Sequence, residues 1–140
     1  MLLELAGFWP RFTALLYECL ISLALLFIGT LLVLPFTAKA IAPGSLWFSG
    51  YLLLLVYGYF AVCWVGAGQT VGMKAWRLLL TDTAGKRITP ARAALRLLLA
   101  SSLAGGLLGL LWSCLDTDGL ALQDRLSGTR VVRLPKANSA

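Results

Sequence analysis

The sequence predicts an all-α membrane protein with two full transmembrane helices, an interfacial helix and a short or re-entrant third apolar segment. Three observations carry this. Of the 140 residues, 59% are hydrophobic and 13% charged, against roughly 45–50% and about 25% in soluble domains. Two apolar runs are long enough to cross a bilayer, and the basic residues cluster on one side of them. The length leaves room for one bundle, so residues 1–140 are read as a single membrane domain.

The first run covers residues 12–34. Pro10 fits the first turn of its helix and Pro35 marks its far end. At about 1.5 Å per residue the run reaches about 34 Å, more than the roughly 30 Å hydrocarbon core. It begins too late and runs too long for a cleavable signal peptide. The second run, residues 46–65, has Trp47 and Trp64 at its two ends and Tyr51, Tyr57 and Tyr59 along it, the pattern of interfacial aromatic belts. Between the runs lie two prolines and one base, Lys39, as expected on the side away from the cytoplasm.

Gly66-Ala67-Gly68-Gln69-Thr70-Val71-Gly72 follows a transmembrane run rather than a strand. It therefore reads as a tight turn with close backbone approach, not as a nucleotide loop. Thr89-Pro90 supplies an N-cap and a first-turn proline, starting the interfacial and third apolar segment, residues 90–115. Arg92 and Arg96 lie one turn apart near its start, and Gly105-Gly106 breaks its centre into halves too short to cross twice. One crossing would leave Arg125, Arg130, Arg133 and Lys136 outside with Lys39; a return to the starting side leaves Lys39 alone there, out of twelve bases. The more asymmetric split is preferred, which makes both termini and the tail, residues 116–140, cytoplasmic. Two strand-like stretches, residues 76–81 and 129–134, are expected to pair on that side, since isolated strands leave their backbone groups unsatisfied. Asp82–Gly85 and Asp116–Gly119 read as turns, the latter lacking the remaining ligands of a calcium loop.

The chemistry is narrow. There is no histidine, and Cys19, Cys63 and Cys114 form no CxxC pair, so no metal, cofactor or disulfide framework is expected. No nucleophile, base and orienting group converge, so an enzyme is not expected either. The net charge of +6 flanks apolar runs and points to anionic lipid headgroups rather than nucleic acid. Glu18 stands apart. It lies seven residues from Arg11, on nearly the same helix face and about 10 Å deeper. An ionisable residue in the apolar interior costs roughly 2.5–3.5 kcal/mol, so Glu18 is either an exchanging carboxylate or a structural lock that accepts from an arginine or a free backbone N–H. Arg11, Arg92 and Arg96 are its expected charged partners, and Asp124 is expected to pair with an arginine or to satisfy backbone donors where the chain leaves the membrane.

Phe8-Trp9-Pro10-Arg11, Tyr17-Glu18, Gly68-Gln69-Thr70-Val71-Gly72-Met73-Lys74 and Asp124-Arg125-Leu126-Ser127-Gly128-Thr129 followed by Val131-Val132 together resemble the RDD family of small bacterial membrane proteins. The resemblance runs over residues 7–134. It implies that Arg11 is the family arginine and Asp124 its second aspartate, with Glu18 at the first aspartate position. That replacement keeps the carboxylate but lengthens its arm. Gln123 stands where a histidine often precedes the second aspartate. The resemblance further implies a bacterial inner-membrane location and, for some members, cation/proton exchange. Two readings follow: transport through Glu18 within an oligomer or a larger membrane partner, or a non-catalytic assembly or recruitment module with a basic cytoplasmic face.

Overall fold

The computed structural model describes residues 4–37, 40–102 and 107–135. Lys39, Gly105-Gly106 and Lys136, which entered the charge and helix-break expectations, lie outside them. The chain is mostly helical: α1 (Phe8–Val33), α2 (Leu46–Gly66), α3 (Val71–Ala75), α4 (Pro90–Ser102), α5 (Leu107–Trp112) and α6 (Leu122–Ser127), with strands β1 (Glu4–Leu5), β2 (Leu78–Asp82) and β3 (Thr129–Arg133).

α1 and α2 are the two helices, among the described residues, that are long and apolar enough to cross a membrane. Only 6% of the most apolar window of each is buried. Leu20, Leu23, Phe27, Leu54 and Val62 therefore face outward with no protein over them, an arrangement that needs lipid or another apolar surface. α1 starts four residues before the expected span, at Phe8. The apolar run marks where lipid begins, whereas the helix continues through Pro10 and Arg11, because Arg11 turns inward. The two helices approach closely at Gly29, where an added Cβ would collide with Leu55, and Tyr51 donates to the Gly29 carbonyl at 3.2 Å. α4 has 13 residues and α5 has 6, about 20 and 9 Å, so neither covers the roughly 30 Å core.

At one end of α1 and α2 the strands form an antiparallel sheet in the order β1-β3-β2. β2 and β3 pair from Leu78↔Arg133 to Asp82↔Thr129. β2 begins two residues later than residues 76–81 would place it, because Trp76 and Arg77 close the turn after α3, with Arg77 at φ 54°. β1 is an addition, pairing Glu4↔Arg133 and Leu5↔Val132; two residues carry no periodicity that reading for alternation could detect. The outer edge of β2 is covered by the Gly68–Gln69 turn, through Leu80 N–H to the Gly68 carbonyl at 2.8 Å and Gln69 Nε2 to the Leu78 carbonyl at 2.8 Å. Leu78, Leu80 and Val131 pack with Ala14, Trp64 and Leu97 into the core. Each fully buried leucine there contributes about 1.5–3 kcal/mol. This core fixes the positions of the charged groups.

Candidate functional site

The buried charges form two groups on the walls of one cavity. In the first, Asp124 receives two arginines. Arg11 Nη1 donates to Oδ2 at 3.1 Å, and Arg96 Nη1 donates to Oδ1. Arg11 Nη2 also donates to the Val131 carbonyl at 3.2 Å, and Arg96 Nη1 to Thr129 Oγ1 at 3.1 Å. Ser127 Oγ joins Thr129 Oγ1 at 2.8 Å. The Arg96 guanidinium also lies over the Trp64 ring, 5.1 Å from its centroid. Asp124 is 1% exposed. A carboxylate so placed requires charged donors on both oxygens, and the two arginines supply them. Burial, with the like charge of Arg11 added, presses the Arg96 pKa down to about 9; at neutral pH the guanidinium stays charged.

The Asp124–Thr129 run therefore acts as a unit. Asp124, Ser127 and Thr129 face in. Arg125 faces out and pairs with Asp116 at 2.8 Å and Asp118 at 2.7 Å, holding the Asp116–Gly119 turn. The Asp116 carboxyl is lowered from its usual 3.8, first by the Leu120 backbone N–H and also by Arg125. At the other turn the Lys86 and Ala84 backbone N–H groups lower Asp82 in the same way, with Arg92 adding to it.

The second group centres on Glu18. Of the three arginines expected to meet it, none does. Arg11 and Arg96 are drawn to Asp124, and Arg92, half-exposed, reaches Asp82 at 3.5 Å and the Gly128 carbonyl at 3.4 Å. Glu18 Oε1 instead accepts from the Thr70 hydroxyl and from the Gly72 backbone N–H at 3.0 Å. Thr70 is the N-cap of α3, its Oγ1 also accepting from Met73 N–H at 3.3 Å. Gly72 is required by space: a Cβ there would lie 2.6 Å from Glu18 Oε1, 2.8 Å from the Ala14 carbonyl oxygen and 3.0 Å from Tyr17 Cβ. Hydroxyl and amide donors thus replace the expected countercharge. The sequence does not mark Thr70 and Gly72 as partners, because the run reads as a turn; a hydroxyl N-cap two residues before a glycine is the available signal.

Between the groups lies a cavity of about 240 Å³, lined by Arg11, Glu18, Trp64, Arg96, Gln123 and Asp124 together with apolar side chains. Five buried polar atoms of lining residues have no hydrogen-bond partner among the described residues: Arg11 Nε, Glu18 Oε2, Trp64 Nε1, Arg96 Nε and Gln123 Oε1. No metal-ligating cluster of three or more such residues occurs among the described residues.

Long outward-facing apolar helices, closed at one end by a buried charge cluster, define a small, mostly helical membrane protein. Its family can be stated too. Residues 5–128 match the RDD family, and the chain belongs to that family. No curated protein and no solved structure matches it.

Proposed function

We propose that the chain is a multi-pass inner-membrane protein in which Glu18 exchanges a proton for a small cation, within an oligomer. The observation that carries this reading is the division of labour on one carboxylate. Thr70 and Gly72 hold Oε1, while Oε2 is buried and unpartnered on a side chain that lines the cavity. Such a group can change its charge partner without moving the backbone that anchors it. The two membrane-length helices among the described residues do not enclose a pathway, so the outward apolar faces of α1 and α2 serve copies of the chain as well as lipid.

The sheet supports a proposed orientation. β1 precedes α1, β2 follows α2, and both pair with β3 near the C-terminus. This supports two crossings that bring the chain back to one side. Lys74, Arg77, Lys86 and Arg87 are exposed on the segments that follow α2, which favours the cytoplasm for that side and anionic headgroups as its neighbours. The same basic surface supports a second reading, a non-catalytic module that assembles or recruits envelope components. Reconstitution of purified protein into vesicles separates the two. An imposed cation gradient moves internal pH with the wild type and not with Glu18→Gln under the exchange reading, and with neither under the assembly reading.

A further inference from the structure

We propose that the cavity between Glu18 and Arg96 binds a small zwitterion with an apolar body, an amino acid of about leucine's size. Its volume, about 240 Å³, exceeds the roughly 150 Å³ of a cavity known to hold benzene, which scales to about ten non-hydrogen atoms. Leu15, Phe60, Leu97 and Leu110 give it apolar walls.

The unspent polar atoms fall into two classes. Arg11 Nε, Arg96 Nε and Trp64 Nε1 are donors without acceptors, and Glu18 Oε2 and Gln123 Oε1 are acceptors without donors. All five residues are more than nine-tenths buried, so bulk water does not relieve them. A carboxylate supplies what the donors lack, and an ammonium what the acceptors lack. Charge agrees: two arginines face two carboxylates, so a ligand of zero net charge with opposite poles keeps the balance. A bare cation would leave three donors unused, and a monoanion would leave both acceptors.

The site shares Glu18 with the exchange reading, yet binding is measured without transport, so the two fail separately. Full-length protein in detergent is titrated with leucine, with isocaproate, which lacks the ammonium, and with isoamylamine, which lacks the carboxylate. Leucine is expected to bind saturably and raise the melting temperature, with each analogue at least about tenfold weaker. Trp64→Phe keeps an aromatic ring but removes the indole N–H donor and weakens leucine several-fold. Ala100→Leu, which fills the cavity wall, abolishes binding. Absence of leucine binding, equal binding of either analogue, or leucine binding unchanged in Trp64→Phe overturns the proposal. If Ala100→Leu fails to fold, the analogue pair and Trp64→Phe still decide it. Leucine binding with no vesicle flux overturns only the exchange reading.

Discussion

Replacing Gly72 by alanine tests the contact that holds Glu18. The new Cβ would sit 2.6 Å from Glu18 Oε1, 2.8 Å from the Ala14 carbonyl oxygen and 3.0 Å from Tyr17 Cβ. Two of these are helix backbone or next to it, so α3 must move away from α1. Overpacking of this kind costs about 1–3 kcal/mol. The shift also weakens the Gly72 N–H bond to Oε1, now 3.0 Å, and bonds to charged groups contribute about 1.5–3 kcal/mol. Alanine's better helix propensity returns up to about 1 kcal/mol. One displacement causes both losses, so they overlap, and the net is about 2 kcal/mol. For a chain of this length that lowers the melting temperature by roughly 7 °C. Gly50→Ala is the control, since its Cβ would meet nothing within 4 Å. Thermal unfolding in detergent reads both variants. If Gly72→Ala melts with the wild type, the α1–α3 contact does not hold the carboxylate as described.

Two further predictions concern the charges. Asp124→Ala leaves Arg11 and Arg96 buried without their shared carboxylate, a loss of about 3–5 kcal/mol, seen as a large fall in melting temperature; a loss under about 1 kcal/mol, the range of exposed pairs, would contradict the buried pairing. Asp82 and Asp116 have folded pKa values below their usual 3.8, held there first by backbone N–H groups. Their contribution is therefore complete above that value and lost as pH falls through the lower folded values. Hydrogen exchange at Lys86 and Leu120 should lose protection on acidification below about pH 3.8, and unchanged protection would contradict it.

The long helices are legible because lipid imposes a length and an apolarity that survive without tertiary knowledge, and Trp47, Trp64, Pro10 and Pro35 punctuate them. Arg11, Glu18 and Asp124 stood out for the same reason, as charges in or beside apolar sequence. Their pairing was not legible. Charge arithmetic sends Glu18 first to an arginine, whereas the chain satisfies it with the Thr70 hydroxyl and a backbone N–H, that of Gly72, more than 50 positions away; the kind of second donor is foreseeable, its place in the sequence is not. Arg92 and Arg96 share a helix face in sequence yet go to different acids, Asp82 and Asp124. β1 escaped notice since only its pairing with β3 makes it a strand.

Under the proposed exchange, Glu18 trades a proton for a cation. Vesicles containing purified protein and an internal pH indicator are given an inward cation gradient, for wild type and for Glu18→Gln with its melting temperature checked in parallel. Exchange brings cations in and sends protons out, so internal alkalinisation is expected with the wild type and is absent from a folded Glu18→Gln protein. A folded Glu18→Gln protein that moves protons at the wild-type rate, or a wild type that moves none, contradicts it.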